Sequence, residues 1–310
     1  MTRPDLIASI SMDRRQLLST LAGVSALATP GIGAAAPQPT TRPLKPRAAD
    51  ARLAIVLGGG SARGFAHIGV IKALDEANIK PHLIVGCSAG ALVGAFWAAG
   101  YSGREMEALA YDVSDNSVVD LIAPGTEKRR GLVSGRTLES FVNRGVRGRS
   151  LSGLMTPLVT VATQFPSGQL RTFTTGDVGF AVRASCSIPG IFLPAEANGQ
   201  EYLDGGLVSP IPVQTARSMG ATQVVAVDVG AEDPSVYAQR PASGLYEVIL
   251  RSFEIMGKSL RDFESRQADM VIRPEVGRIV STDFTARRAL IEAGYKAGQR
   301  LAPVIAQRLL

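Results

Sequence analysis

Ser88 lies in the segment GCSAG (86–90), which matches the G-x-S-x-G pattern of serine-hydrolase nucleophile elbows. In hydrolases of that pattern, an acid and then a histidine follow the serine along the chain. This chain has two histidines, His67 and His82, and both precede Ser88. A carboxylate is therefore the natural group to take the proton of a nucleophilic Ser88, and the residue to weigh is Asp204 in LDGG (203–206).

The segments around Ser88 predict the strand and the helix that a nucleophile elbow needs. The short apolar run HLIV (82–85) is typical of a buried parallel strand, and AGALVGAFWAA (89–99) predicts a helix that ends at Gly100. Ser88 would then face the free N–H groups and the positive dipole end of that helix. The alternative is a small-residue turn in which the serine only caps the helix.

A second glycine-rich segment, GGGSARG (58–64), lies between a predicted buried strand at 51–57 and a predicted helix at 65–78. Its consecutive backbone N–H groups suit a phosphate or an oxyanion. Neither nucleotide-binding fingerprint matches, because a Walker A loop needs lysine after its last glycine and the dinucleotide pattern needs glycine in place of Arg63. Arg63 would brace the loop, bind an anionic group of the substrate, or lie on the surface. The sequence therefore predicts an oxyanion hole formed by Gly58, Gly59 and Gly60.

Asp204 and the two histidines each have a structural interpretation as well. Asp-Gly-Gly is a strong turn signal between two strands, so Asp204 alone would indicate only a turn. Beside an elbow that no histidine follows, it becomes the favoured base. His67 and His82 are interpreted as structural residues, and two histidines without nearby ligand residues give no metal signal.

These motifs, taken in their order along the chain, resemble the patatin-like phospholipases, specifically the bacterial branch of that family. The clearest departure is Cys87, where the family more often has threonine. The resemblance covers about residues 51–305, and three ordered motifs over that span are far more specific than any one of them. It extends to four further segments, FAHIGV (65–70), RASCSIPG (183–190), PIP (210–212) and ADMVIRP (268–274).

The resemblance implies a serine–aspartate dyad without histidine, with Ser88 as nucleophile, Asp204 as base and the glycine loop as oxyanion hole. It implies a lipid acyl-ester hydrolase of the phospholipase A, lysophospholipase or lipid-esterase type, acting on a lipid or acyl-ester substrate without a cofactor. The alternative is a catalytically silent member of the same fold that binds lipid or a partner protein. Cys87 and Cys186 would both lie near the active site, and we expect free thiols.

Strand candidates at 158–162 and 224–229 alternate with helical stretches, and the tail at 286–310 has the pattern of an amphipathic helix. The sequence therefore predicts one α/β domain over 51–310, with a mostly parallel central sheet and helices on both faces.

Residues 37–50 are a proline-rich linker, and residues 1–36 contain paired arginines, a short apolar stretch and a run of small residues. That order is typical of an export signal of the twin-arginine type, so we expect a periplasmic or secreted protein. An uncleaved leader is the alternative interpretation.

The chain carries a formal net charge of +6, with basic residues concentrated in the second quarter of the sequence. This basic cluster is either a patch that contacts an anionic membrane beside a mobile lid or a solvated charged face. Aromatic residues do not interleave with it, so we expect no nucleic-acid partner, and the sequence does not indicate an oligomeric state. The cluster consists of Lys128, Arg129, Arg130, Arg136, Arg144, Arg147 and Arg149.

Overall fold

One mixed β-sheet forms the centre of the computed structural model, which describes residues 52–113, 120–121, 130–230 and 245–309. Hydrogen-bonded neighbours in this sheet follow the order β5-β6-β3-β2-β1-β7-β8, and β4 also pairs with β3. The pairs β3–β2, β2–β1, β1–β7 and β7–β8 are parallel. The pairs β3–β4, β3–β6 and β5–β6 are antiparallel. The described strands are β1 Leu53–Leu57, β2 Leu83–Cys87, β3 Leu158–Phe165, β4 Leu170–Phe173, β5 Ala195–Ala197, β6 Gln200–Asp204, β7 Gln223–Val227 and β8 Met270–Ile272.

Helices follow most of the parallel strands. The three helices predicted after the glycine loop, after Ser88 and at the C-terminus are confirmed, and their ends lie within two residues of the predicted ones. The first ends early because Asn78 adopts a left-handed backbone conformation, with φ of 55°. The described helices are α1 Phe65–Glu76, α2 Ala89–Ala98, α3 Gly103–Asp112, α4 Arg136–Gly145, α5 Val178–Ser185, α6 Val213–Ser218, α7 Leu245–Ser265 and α8 Arg287–Leu309.

Alternate residues of β1 face opposite sides of the sheet and enter two separate apolar clusters. Leu53, Ile55 and Leu57 pack with residues of α1, α2 and α8, whereas Ala54 and Val56 pack with residues of α6. A strand that is covered on both faces needs a continuous apolar sequence, which is what LAIVL supplies. Helices therefore cover both faces of a mostly parallel sheet, and the predicted fold class is confirmed.

β2 and β6 lie end to end along the same edge of β3. The other edge is occupied by β4 at residues 160–163, so β2 and β6 must both use the remaining edge. Cys87, the last residue of β2, is in register with Val161, and Asp204, the last residue of β6, is in register with Ala162. Because β2 runs parallel and β6 antiparallel to β3, the two strand ends meet, and Ser88 is brought to Asp204.

The Asp-Gly-Gly segment does not join two strands, which corrects the turn interpretation of Asp204. β6 ends at Asp204 and leads through the 3-10 turn Gly205–Leu207 towards α6. Asp204 therefore lies at the end of β6, close to the point where β2 ends before Ser88, and not at the tip of a hairpin.

Several predictions concern parts of the chain that lie outside the described residues. These are the export signal at 1–36, the linker at 37–50, and Lys128 and Arg129 of the basic cluster. Within the described residues, none of the helices has both the length and the apolar character needed to cross a bilayer.

Candidate active site

Ser88 forms the turn between β2 and α2, as predicted for a nucleophile elbow. Its φ of 52° and ψ of −123° fall in a region that residues other than glycine rarely adopt. The neighbouring glycines make this sharp turn possible, since a Cβ at Gly86 would lie 2.5 Å from Cα of Ala91. A Cβ at Gly90 would lie 2.1 Å from the carbonyl oxygen of Leu57. The absence of a side chain at Gly86 therefore lets α2 begin close to β2, and its absence at Gly90 lets the elbow pack against β1.

Asp204 accepts a hydrogen bond from the hydroxyl of Ser88, with 2.6 Å between Oγ and Oδ2. The other carboxylate oxygen, Oδ1, accepts the N–H of Gly206 at 2.7 Å, and the carbonyl of Asp204 accepts the hydroxyl of Thr163 at 2.8 Å. Both Ser88 and Asp204 are only 7% exposed. Burial raises the pKa of Asp204 to about 6, although the hydrogen bonds from Ser88 and Gly206 oppose this shift. The carboxylate is thus a stronger base than an exposed aspartate.

The two histidines have structural partners. Nε2 of His67 lies 2.8 Å from the carbonyl oxygen of Gly58, and burial lowers the pKa of His67 to about 4. The ring is therefore neutral and donates Nε2–H to that carbonyl. Nδ1 of His82 accepts the N–H of Leu53 at 3.2 Å. The interpretation of both residues as structural is consistent with these contacts.

The N–H groups of the glycine loop correct part of the predicted oxyanion hole. The N–H of Gly58 donates to the carbonyl of Val227 at 3.1 Å, and the N–H of Gly59 donates to the carbonyl of Pro210 at 3.0 Å. Both donors are therefore occupied, which makes the prediction wrong for Gly58 and Gly59. The N–H of Gly60 has no acceptor among the described residues, so Gly60 stays a predicted oxyanion donor. The loop does pass beside the elbow, since a Cβ at Gly59 would lie 3.5 Å from Cβ of Ser88.

Arg63, near the end of the glycine loop, is buried with 1% of its surface exposed, so its interpretation as a surface residue is wrong. Its Nε donates to the carbonyl of Ile279 at 2.8 Å, and the preceding N–H of Ala62 donates to the carbonyl of Ser281 at 2.9 Å. These two bonds attach the glycine loop to the segment at 279–281. The contacts favour the bracing role for Arg63.

Cys87 and Cys186 are buried thiols without a disulfide, as predicted. Burial raises the pKa of both thiols well above the usual range. Because the thiolate is the nucleophilic form of cysteine, neither thiol is a good nucleophile at neutral pH.

Ser88 and Asp204 line a cavity of about 420 Å³. Most of its wall is apolar, and the lining includes large side chains that are partly exposed to solvent, such as Leu132 and Met256. A cavity of this size and character can hold an acyl chain beside the hydroxyl of Ser88. Its apolar lining includes Ile188, Ile191, Phe192, Leu207 and Phe253.

Residues 55–217 match a family model described as patatin-like phospholipase. This match covers more than half of the chain and includes the glycine loop, Ser88 and Asp204. The chain belongs to the patatin-like phospholipase family. The resemblance inferred from the ordered motifs is thereby confirmed.

Relatives of this patatin-like chain are longer than the chain itself. It is 34% identical over 273 residues to patatin-like phospholipase domain-containing protein 7 of Mus musculus, which covers 80% of the chain and 20% of that protein. It is 33% identical over 211 residues to an uncharacterized NTE family protein of Mycobacterium tuberculosis, covering 64% of the chain and 58% of that protein. Among solved structures, VipD from Legionella pneumophila superposes with a TM-score of 0.47 at 15% identity, covering 82% of this chain and 67% of VipD.

Sequence reasoning does not identify Ser185, which holds the elbow of this patatin-like site in place. The N–H of Ser88 donates to Oγ of Ser185 at 2.8 Å, and the hydroxyl of Ser185 donates to the carbonyl of Val161 at 2.6 Å. Ser185 is fully buried at the end of α5. The sequence signal that contains it is the segment RASCSIPG, which indicates the family but not this contact.

Glu264 of α7 is a second residue that sequence reasoning does not identify. Its Oε2 accepts the N–H of Ile211 at 2.7 Å, and its Oε1 accepts the hydroxyl of Ser209. Pro210, between these two residues, supplies the carbonyl that binds the N–H of Gly59. Burial raises the pKa of Glu264 to about 7, although these hydrogen bonds oppose the shift. Glu264 therefore holds the segment at 209–211, and this segment in turn holds the glycine loop through the bond from Gly59 to Pro210.

Proposed function

We propose that the protein is a serine hydrolase that cleaves acyl esters of lipids, of the phospholipase A, lysophospholipase or lipid-esterase type. The observation that carries this proposal is the 2.6 Å hydrogen bond from Ser88 to Asp204 in the wall of an apolar cavity. Membership of the patatin-like phospholipase family supports lipid hydrolysis as the general activity. The chain covers only a fifth of its mouse relative, so the proposal concerns the activity of this chain alone.

In the proposed reaction, Ser88 is the nucleophile and Asp204 the general base. Oγ of Ser88 attacks the ester carbonyl as Asp204 takes its proton, and a tetrahedral oxyanion forms. Asp204 then gives that proton to the leaving alcohol, and the acyl group remains on Ser88. Water attacks the acyl-enzyme in the same way, with Asp204 again as the base, and releases the carboxylic acid.

The oxyanion would be stabilised by the N–H of Gly60 and by the N-terminus of α2. Gly60 offers an N–H that no described group accepts, in the loop beside Ser88. The first N–H groups of a helix have no partner within the helix, and its dipole favours negative charge at this end. Ser88 is the residue that immediately precedes α2, so charge that develops beside it meets both sources of stabilisation.

Labelling with a fluorophosphonate probe tests this proposal directly. We expect the wild-type protein to be labelled at Ser88, as located by peptide mass spectrometry, and Ser88→Ala to remain unlabelled. Ser61→Ala is a matched control, since Ser61 is a second serine that lines the cavity, and it should be labelled like the wild type. A folded wild-type protein that resists the probe would contradict the proposal and favour the catalytically silent, lipid- or partner-binding alternative.

Substitution of Gly60 by alanine tests its role in the oxyanion hole. The φ of Gly60 is 174°, which alanine can adopt, but a Cβ there would lie 2.6 Å from Cγ2 of Val229. The loop must shift, so we expect kcat to fall about 10- to 100-fold with little change in KM. Steady-state kinetics on a p-nitrophenyl ester measure both parameters.

The double variant Gly60→Ala/Val229→Ala is the control for this effect. Removing the methyl groups of Val229 makes room for the new Cβ, so most of the lost kcat should return. Val229→Ala alone gives the baseline for that comparison. A wild-type kcat in Gly60→Ala, or no recovery in the double variant, would contradict the proposed donor.

Peripheral contact with an anionic membrane stays a prediction. Within the basic cluster, Arg130 forms a two-pronged ion pair with Glu201, with Nη1–Oε1 of 2.5 Å and Nη2–Oε2 of 2.8 Å. This pairing makes Arg130 less available to a lipid headgroup than the sequence suggests. Export by the twin-arginine route is likewise still a prediction.

A further inference from the structure

Arg261 of α7 lines the same cavity as Ser88, although the sequence gives no reason to single it out. It is only 9% exposed. Within the parts of the chain that the structure describes, its guanidinium group makes no hydrogen bond and no ion pair. The charge of the neighbouring Asp262 acts on Arg261, but the carboxylate of Asp262 is bonded to Lys258. The guanidinium N–H groups are therefore suited to a ligand that brings a negative charge of its own into the cavity.

Two glycines form a cradle for the side chain of Arg261. A Cβ at Gly230 would lie 2.5 Å from both Cδ and Nε of Arg261, and a Cβ at Gly257 would lie 3.1 Å from Nη1. Neither glycine has a positive φ, so an unusual backbone conformation does not explain the glycine at these positions. The absence of a side chain leaves room for the side chain of Arg261. The N–H of Gly230 donates to Oδ1 of Asp228 at 3.1 Å, which fixes the backbone beneath the guanidinium group.

Three acidic residues, two of them on α7 and one beside Gly230, have other cationic or polar partners. Asp262, the next residue, pairs with Lys258 at 2.7 Å, and Asp228 pairs with Arg273 at 3.3 Å. Glu254, one further turn back on α7, accepts the hydroxyl of Ser281 at 2.5 Å. None of these contacts involves the guanidinium group of Arg261.

We propose that Arg261 binds the phosphate group of a glycerophospholipid or lysophospholipid whose acyl ester lies at Ser88. This inference rests on the proposed hydrolase function and names the substrate class of the same site. A guanidinium group presents a planar set of donors that matches a phosphate and can bind it through two parallel hydrogen bonds. A neutral acylglycerol offers these N–H groups no negative charge, so the site discriminates between the two kinds of lipid.

The test compares two esters that differ only in the phosphate, 1-octanoylglycerol and 1-octanoylglycerol 3-phosphate. In Arg261→Met, we expect kcat/KM for the phosphate-bearing ester to fall about 10- to 100-fold, which is the loss of a charge-assisted hydrogen bond or a bidentate pair. The kcat/KM for 1-octanoylglycerol should stay within about threefold of the wild-type value, because this substrate has no group for Arg261 to bind. Arg266→Met is the matched control, since Arg266 is exposed and follows α7 directly, and both substrates should behave as in the wild type.

The outcomes separate this inference from the proposed function. If the wild type hydrolyses neither ester, the proposed function is wrong and the inference falls with it. If the wild type hydrolyses 1-octanoylglycerol but Arg261→Met leaves the ratio of the two kcat/KM values unchanged, only the inference is wrong. The same holds if both values fall equally, or if the variant changes only inhibition by octanoate, which would show that Arg261 binds the carboxylate product.

A second variant covers the case in which Arg261→Met does not fold. Arg261→Gln removes the charge but keeps a polar group at the cavity, and the same fall in the ratio is expected. Circular dichroism and the melting temperature establish that each variant is folded before its kinetics are compared. If both neutral variants unfold, the guanidinium group is required for the fold itself, and the proposal is overturned.

Discussion

Replacing Ser88 with alanine is expected to lower kcat for a short-chain ester by at least about 10⁴-fold. The substitution removes the attacking oxygen, and the structure offers no substitute for it, because the neighbouring thiols of Cys87 and Cys186 are buried and protonated. Any residual rate would come from binding and from the oxyanion hole alone. Initial rates on a p-nitrophenyl ester, measured for wild type and variant at pH 8, give the comparison.

Ser88→Gly separates loss of the nucleophile from loss of the fold. It removes the same hydroxyl, but glycine adopts the φ of 52° without strain, so it should be as inactive as Ser88→Ala. Its free energy of unfolding should exceed that of Ser88→Ala by about 1 kcal/mol. Ser218→Ala is the matched control, since this exposed serine bonds only within α6 and should keep the wild-type rate. More than a few per cent of wild-type activity in Ser88→Ala would contradict the role of Ser88.

The position of Ser88 and the choice of Asp204 could both be predicted from the sequence. The elbow is a local pattern, because the strand, the serine and the helix lie within 20 consecutive residues at 82–100. Because no histidine follows Ser88, the sequence then favours a distant carboxylate as the base. What the sequence could not supply is the register of β2 and β6 along β3, which places Cys87 and Asp204 beside consecutive residues of that strand.

The errors of prediction in the glycine loop concern contacts between residues that are far apart in the chain. Consecutive glycines predict exposed N–H groups, yet the acceptor of Gly59 is the carbonyl of Pro210, which a separate turn brings to the loop. The sequence left three roles open for Arg63, and its burial and its bond to the carbonyl of Ile279 exclude the surface one. Arg261 gives no signal for the same reason, since its burial depends on Gly230 and on the packing of α7. Such contacts are set by tertiary structure and have no local pattern.

Replacing Asp204 with asparagine is expected to lower kcat about 10³-fold. Asparagine has nearly the same shape and its amide oxygen can still accept the hydroxyl of Ser88, but a neutral amide cannot take the proton as that oxygen attacks. In the wild type, kcat/KM should rise with pH through the pKa of Asp204, about 6, because only the carboxylate acts as base. Rate measurements from pH 4.5 to 9 should show this inflection in the wild type and none in the variant.

The raised pKa of Asp204 also predicts that the inactive variant is not the less stable protein. Burial raises this pKa from 3.8 to about 6, so the folded state binds the proton more tightly than the unfolded state does. The stability gained from this proton is fully present below pH 3.8 and is lost as the pH rises through 6.

At pH 8 the wild type therefore holds an ionised carboxylate at an unfavourable position that Asp204→Asn no longer contains. The melting temperature of the variant at pH 8 should equal or exceed that of the wild type, and a lower one would contradict burial as the cause of the shift. Activity and stability then make opposite demands on this one residue, which is expected where a base must remain ionised in an apolar cavity.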